Sequence, residues 1–108
     1  MTIQVTNVTT AGNVVYASTG NTAVTFLSLC NYGATDVETN LYVVPSGDTP
    51  ANTNIVLTQL ILTASGNGTG DTYQLYVGGE KLIFGNGDSV QVTANANTVT
   101  AVVSYTSI

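Results

Sequence analysis

The sequence carries very little charge, and almost none of it is positive. Only 6% of its residues are charged, against about 25% in a typical soluble domain. Six acids face a single base, Lys81, which gives a formal net charge of −5 at pH 7. A protein that binds nucleic acid needs clustered Lys or Arg to neutralise phosphates, and a polybasic membrane anchor needs the same residues. The sequence therefore predicts neither nucleic acid nor a membrane as a partner.

Histidine is absent, and Cys30 is the only cysteine. Zinc sites, Ser-His-Asp triads and Cys-His pairs cannot be built from such a chain, and one cysteine forms no intramolecular disulfide. Cys30 ends a run of apolar residues, so we expect it to be a small apolar side chain of the core. A calcium loop around Asp48 or Asp71 is the remaining metal site to consider. Neither acid has the spacing of a calcium-binding loop, so we predict no metal and no cofactor.

The chain also lacks the apolar segments that direct a protein to or across a membrane. No apolar run is long enough to span a bilayer. The amino-terminal residues MTIQVTNVTT have no basic region followed by an apolar core, which is the pattern of a signal peptide. The sequence therefore predicts a protein that is made in the cytoplasm and either stays there or leaves it within a larger assembly.

Thr, Asn and Ser take the place of the missing charge and make up roughly a third of the chain. Thr and Val favour extended backbone, whereas Asn and Gly favour turns. The 108 residues, 44% of them hydrophobic, are enough for one domain with a packed core. These features predict a single all-β domain over residues 1–108, without a helix.

Two apolar segments, Ala23–Cys30 and Leu41–Val44, are central to the predicted fold. The first is apolar at both odd and even positions, which indicates a strand buried on both faces. The second belongs to a stretch in which apolar residues alternate with the more polar Glu38, Asn40 and Tyr42. This alternation indicates a half-buried strand. The intervening residues NYGATD are rich in turn formers, so we predict that the two strands form a central hairpin.

Further short alternating segments continue along the chain, and turn signals separate them. Gly78-Gly79 and Asn86-Gly87 are two-residue turn signals of the kind that join hairpin strands. Pro45 is predicted to end strand pairing after Val44 because proline cannot donate to a ladder.

The spacing of strands and turns defines the predicted architecture. Eight or nine short strands with a turn about every 8–12 residues are typical of a sandwich. We therefore predict a single antiparallel β-sandwich, jelly-roll-like, of about eight strands. Residues 1–20 are predicted to be an amino-terminal arm or edge strands, which neighbouring chains often recruit for pairing.

The acids offer one arrangement that resembles catalytic chemistry. Asp36 and Glu38 are two apart on a predicted strand and would share a face, and glycosidases use two carboxylates at a fixed separation. A solvated acidic sheet face is the commoner explanation. We therefore predict no catalytic residue and no enzyme activity, with a paired-carboxylate hydrolase as the alternative.

Six tyrosines offer a different kind of site. Tyr beside Asn and Thr on a sheet can bind carbohydrate, because a ring stacks on a sugar while amides bind hydroxyls. Tyr42, Tyr76 and Asn40 are therefore the candidate glycan-binding residues. The alternative is that the rings pack at strand edges or subunit contacts with their hydroxyls in water.

Five short motifs carry a resemblance to a known family. They are Cys30-Asn31, Val43–Pro50, Gly70–Tyr73, Gly79–Leu82 and Asn86–Val92. In this order, from Phe26 onwards, the chain resembles a family of small bacteriophage virion proteins, similar to those of tailed phages that infect marine cyanobacteria. The resemblance implies an all-β virion component, free-standing or a module of tail-associated proteins, with no enzyme activity and no cofactor.

The composition agrees with such a role, because a surface with few charges repels other chains poorly. We therefore expect a homo-oligomer, with a trimer favoured, that docks on other virion proteins of the capsid or the tail. The expected location is the virion, after synthesis in the host cytoplasm. Decoration of the capsid is favoured over a tail, neck or fibre position, and a glycan- or host-surface-binding module is the alternative function.

Overall fold

The structure, a computed structural model, describes residues 2–64, 72–75 and 81–108. Within these ranges the backbone forms nine strands and no helix, so the prediction of an all-β domain is confirmed. The strands are β1 (Thr2–Val8), β2 (Asn13–Ala17), β3 (Thr22–Asn31), β4 (Val37–Val44), β5 (Ile55–Leu62), β6 (Thr72–Leu75), β7 (Leu82–Phe84), β8 (Ser89–Ala94) and β9 (Val99–Ser107).

The strands form two antiparallel sheets that pack as a sandwich. Sheet 1 has the strand order β1-β9-β3-β6, and β7 also pairs with β3; sheet 2 has the order β2-β8-β4-β5. Apart from β4–β5 and β6–β7, strands that follow each other along the described chain lie in opposite sheets. This alternation is that of a jelly roll, the double Greek-key sandwich. The predicted β-sandwich is therefore confirmed.

The core lies between the two sheets and is filled by alternate residues of their central strands. Leu27 and Leu29 of β3 are fully buried, and so are Val90 and Val92 of β8. The two-residue period of a pleated strand accounts for this spacing, because every second side chain points to the same face. Val99, Ala101 and Val103 of β9 complete the pattern.

Strand β3 is the centre of sheet 1, because it pairs with β9 on one side and with β6 and β7 on the other. This position explains why most of its residues are buried, as the sequence predicts. Cys30 is the exception: it is only half-buried, on the outer face, where its neighbours are Thr72 and Thr100. The prediction that Cys30 is a core residue is wrong, because the strand alternates and Leu29 takes the inward direction.

The predicted central hairpin is also wrong. Strands β3 and β4 belong to different sheets and do not pair, so residues 32–36 carry the chain across the sandwich. Asn86-Gly87 does form a turn, with Gly87 at φ +88°, but it joins β7 of sheet 1 to β8 of sheet 2. Turn-forming residues show where a chain reverses. They do not show whether the next strand pairs beside the last one or stacks across from it.

The hairpin that does form is β4–β5, on either side of the proline-containing loop. Val37 is opposite Leu62 and Tyr42 is opposite Ile55, and the N–H of Val43 donates to the carbonyl oxygen of Asn54 at 3.0 Å. Pro45 lies just beyond the last residue of β4, where no ladder hydrogen bond is required of it. Strand β4 thus ends at Val44, as predicted from Pro45, but the loop does not separate the strands on its two sides, because β5 pairs with β4.

The predicted Gly78-Gly79 turn lies outside the described residues. The described residues on either side of it, β6 and β7, both pair with β3: β6 along Leu27–Cys30 and β7 along Thr22–Val24. These strands therefore lie end to end beside β3, and their described residues do not pair with each other as a hairpin would.

Candidate interaction surfaces

Two of the predicted glycan-binding residues, Asn40 and Tyr42, lie on the outer face of sheet 2. Both are half-buried residues of β4 that alternate with buried ones. Their neighbours on β8 are Thr93 and Gln91, opposite Asn40 and Tyr42 respectively. The third predicted residue, Tyr76, lies outside the described residues. Along β4 and β8 this face is therefore a polar strip with one aromatic ring, while Val14 of β2 and Ile61 of β5 are exposed beside it.

The side-chain amide of Asn40 already has partners within the fold. Its Oδ1 accepts a hydrogen bond from the N–H of Gln59 at 2.8 Å, and its Nδ2 donates to Oγ1 of Thr93 at 3.3 Å. Gln59 has the left-handed φ of +52° at a shift in the β4–β5 register. A β-bulge leaves backbone groups without ladder partners, and Asn40 satisfies one of them. Asn40 thus stabilises the bulge, which leaves Tyr42 as the main candidate for contact with a sugar.

Two of the described acids, Asp36 and Asp88, bind backbone N–H groups through their carboxylates. Oδ1 of Asp36 accepts from the N–H of Ala64 at 3.0 Å. The two carboxylate oxygens of Asp88 accept from the N–H groups of Ser46 and Gly85, each at 2.9 Å. Short acidic side chains commonly stabilise turns in this way.

The predicted pairing of Asp36 with Glu38 on one strand face is wrong, since Asp36 precedes β4 and only Glu38 lies on the strand. In the described ranges no group of three or more His, Cys, Asp or Glu side chains is placed to hold a metal ion. Asp48, one of the two acids considered for calcium, lies in the β4–β5 loop, and Asp71, the other, lies outside the described residues.

The β4–β5 loop encloses a shallow polar depression of about 310 Å³, lined in part by Asp48, Thr53 and Asn54. The amide of Asn54 stabilises the loop: its Oδ1 accepts from the N–H of Ala51 at 3.0 Å, and its Nδ2 donates to the carbonyl oxygen of Thr49 at 2.9 Å. The loop is therefore held in shape by its own hydrogen bonds, and Asp48 is its one acidic residue.

Tyr32, which the sequence did not single out as a site residue, projects at one end of the sandwich with 53% of its surface exposed. Its hydroxyl lies 2.7 Å from Oδ1 of Asn7 and 3.0 Å from the carbonyl oxygen of Asn97. Oδ1 of Asn97 in turn accepts from the N–H of Thr10 at 2.9 Å. These contacts hold the carboxyl end of β1 against the loop before β9.

Three apolar side chains on the strands of sheet 1 are strongly exposed. Ile3 and Val5 of β1 are 66% and 63% exposed, and Ile83 of β7 is 59% exposed. Val5 is opposite Val102 of β9, a half-buried residue. Because a typical surface strand alternates apolar with polar or charged residues, exposed β-branched residues on these strands require another explanation.

The described strands of sheet 1 also share a lack of charge. None of the five described strands of sheet 1 contains an acidic or basic residue. Of the acids that the structure describes, Asp36, Asp48 and Asp88 lie in loops, and Glu38 lies on sheet 2. The described acids therefore lie outside the strands of sheet 1, and the base Lys81 directly precedes β7.

In the part of the chain that the structure describes, no helix has the length and apolar character needed to cross a bilayer. Comparisons of the chain with protein-family models, with curated proteins and with solved structures give no match. The resemblance to bacteriophage virion proteins therefore stays a prediction.

Proposed function

We propose that the chain is a non-enzymatic structural protein of a tailed-phage virion that assembles with copies of itself and docks on other virion proteins. The observation that carries this proposal is the uncharged outer face of sheet 1, with Ile3, Val5 and Ile83 exposed to solvent. Exposed apolar patches in soluble proteins commonly mark contacts with other proteins. Burial of this face in an assembly gives these side chains the apolar surroundings that the single chain does not provide.

The distribution of charge supports assembly from identical copies. Identical acidic chains repel each other wherever their carboxylates come close. A face without charge avoids this repulsion, and the strands of sheet 1 are such a face. The compact sandwich is also consistent with a building block, since jelly rolls form viral capsid domains as well as lectin domains.

Within the virion, we favour a decoration of the capsid over a position in the tail, neck or fibre. The chain is a small acidic domain, and its described residues contain neither a helix nor an extended shaft. Synthesis takes place in the host cytoplasm, and the protein ends in the virion. This assignment depends on the family resemblance, because a fold alone does not define a function.

Light-scattering chromatography at several concentrations tests the assembly. We expect a multimer whose mass is constant over at least about a tenfold range of concentration. Burial of the exposed apolar side chains of sheet 1 in an interface stabilises such a multimer. A monomer over the whole range would contradict the proposal that the protein assembles through its own surfaces.

A second candidate function is recognition of glycans or of a host surface. Tyr42 favours it, since its ring lies half-buried beside Gln91 on a polar face, and stacking on a flat aromatic ring is a common way to bind a sugar. The protein would then be a tail-associated component that attaches the phage particle to its host.

A glycan array distinguishes this function from assembly alone. If it is correct, we expect specific binding that Tyr42→Ala lowers at least about tenfold, which corresponds to about 1.4 kcal/mol. Tyr32→Ala is the matched control, because it removes an exposed ring at the end of the sandwich, away from β4. Equal losses in both variants, or no binding at all by the native protein, would reject the glycan function.

A further inference from the structure

The edge strands of the two sheets differ in how well they are protected against pairing with other chains. Natural proteins protect edges with bulges, charges, prolines or short strands. In sheet 2, β5 has two register shifts and β2 has one, between Val14 and Tyr16. In sheet 1, the described edge beside β3 is divided between two strands, β6 with four described residues and β7 with three.

Strand β1, the other edge of sheet 1, has none of these protections. Its seven residues, TIQVTNV, contain no charge, no proline and no glycine. It pairs with β9 in an unbroken register from Thr2 opposite Tyr105 to Val8 opposite Val99. A regular, uncharged edge strand is a template for pairing with another strand.

The hydrogen bonds of sheet 1 establish which backbone groups of β1 are on the free edge. The N–H of Tyr32 donates to the carbonyl oxygen of Thr98, and the N–H of Ile108 donates to that of Asn21. The even-numbered residues of β9 therefore bond towards β3. Since bonding direction alternates along an antiparallel strand, the odd-numbered residues of β9 bond towards β1.

Those odd-numbered residues are opposite the even-numbered residues of β1. The N–H and C=O groups of Ile3, Val5 and Asn7 consequently point away from β9, along the edge of β1 with which no other described strand pairs; this edge is called the free edge. The side chains of Ile3 and Val5 are among the most exposed apolar ones of the molecule.

We propose that β1 pairs antiparallel with β1 of a second copy, with Val5 opposite Val5 of the partner subunit. This inference rests on the proposed function and specifies its interface. In this register Val5 exchanges two hydrogen bonds with its counterpart, and Ile3 exchanges two with Asn7 of the partner subunit. All three free residues of β1 then have partners, so the register leaves no group of Ile3, Val5 or Asn7 on this edge unbonded.

The second copy fits this edge better than an unrelated partner because β1 is complementary to itself. β-branched side chains meet across the two-fold axis, which favours strand pairing. No carboxylate lies on either strand, so two acidic chains can approach here without like charges in contact. The contact is isologous and closes as a dimer, so it replaces the trimer expected from the sequence. The two copies of sheet 1 join into one continuous sheet.

The test places like charges at the two-fold axis. Val5→Lys sets a lysine opposite a lysine in the dimer, and like charges directly opposite each other are unfavourable. We expect the dissociation constant, measured by sedimentation or light scattering, to rise at least about tenfold. Val14→Lys is the matched control, because Val14 is 47% exposed on β2 of the other sheet, and it should leave the mass unchanged. Circular dichroism establishes that both variants are folded.

A mixture of charge variants tests the register. Val5→Lys and Val5→Glu should each be monomeric alone, and an equimolar mixture should recover the dimer mass, because Lys then lies opposite Glu. Failure of the mixture to associate would overturn the register in which Val5 pairs with itself.

The inference and the proposed function can fail separately. A stable multimer that Val5→Lys does not weaken would overturn pairing through β1 and leave self-assembly intact. A native protein that stays monomeric at every concentration would overturn both. Equal dissociation by Val5→Lys and Val14→Lys would also overturn pairing through β1, since the added charge alone would then be responsible.

Discussion

Asn31→Ala should lower the free energy of unfolding by about 3 kcal/mol or more, because it removes four hydrogen bonds of a fully buried side chain at once. Asn31 is fully buried at the end of β3. Its Nδ2 donates to the carbonyl oxygens of Thr35 and Leu62, each at 2.8 Å. Its Oδ1 accepts from the N–H of Gly33 and from Oγ1 of Thr98, each at 3.0 Å.

These four contacts explain the size of the expected effect. Leu62 belongs to sheet 2, whereas Thr98 precedes β9 of sheet 1, so one side chain connects both sheets with the crossing segment between them. Alanine would leave the buried carbonyl oxygen of Leu62 and three partly buried groups without these partners, and each such loss costs about 1–3 kcal/mol when water cannot replace the bond. Urea denaturation, followed by circular dichroism, measures the change.

Asn40→Ala is the matched control for this prediction. Asn40 also bonds through both ends of its amide, but it lies half-buried on an outer face, where water can replace the lost partners. We expect a loss of about 1 kcal/mol. If the two variants were equally destabilised, the contacts of Asn31 would not be the reason for its effect.

Tyr16→Ala should destabilise the fold by about 4 kcal/mol, in the range for large aromatic side chains removed from a core. Tyr16 is 2% exposed. Its ring centroid lies 4.4 Å from that of Tyr105 on β9 and 6.0 Å from that of Phe84 on β7. Although Tyr16 belongs to β2 of sheet 2, both of these rings belong to sheet 1, so its removal opens a cavity between the sheets.

Tyr16→Phe separates the ring from the hydroxyl. The hydroxyl of Tyr16 donates to Oγ1 of Thr22 at 2.8 Å, and Oγ of Ser18 lies 2.8 Å from the same atom. Thr22 therefore keeps a partner when the tyrosine hydroxyl is removed, and we expect a loss of only about 1 kcal/mol. Thermal and urea unfolding of the two variants check the difference. A Phe variant as unstable as the Ala variant would show that the hydrogen bond, and not the packed ring, dominates.

The elements of the fold were predictable from the sequence because strand periodicity is a local signal. Alternation along β4 placed Leu41 inwards and Tyr42 outwards. Which strands pair was not predictable, because Asn86-Gly87 has the same turn chemistry whether the next strand lies beside the last one or across from it.

The candidate surfaces were predictable only in part, for a related reason. The sequence indicated that Asn40 and Tyr42 share an outward face. It did not show that Asn40 accepts a hydrogen bond from Gln59, because the bulge at Gln59 depends on the pairing of β4 with β5. The free edge of β1 depends likewise on its pairing with β9 at the other end of the chain. Such contacts between distant residues leave no periodic pattern in the sequence.

The pairing of the first strand with the last described one has a consequence for biosynthesis. β1 cannot join sheet 1 until β9 has left the ribosome, and β3 lacks its longest partner until the same moment. Non-local pairing of this kind slows folding and leaves strand edges exposed in the nascent chain. The edge proposed to join two copies therefore takes its final form only after translation has passed β9, so subunits are expected to associate only after β9 has left the ribosome.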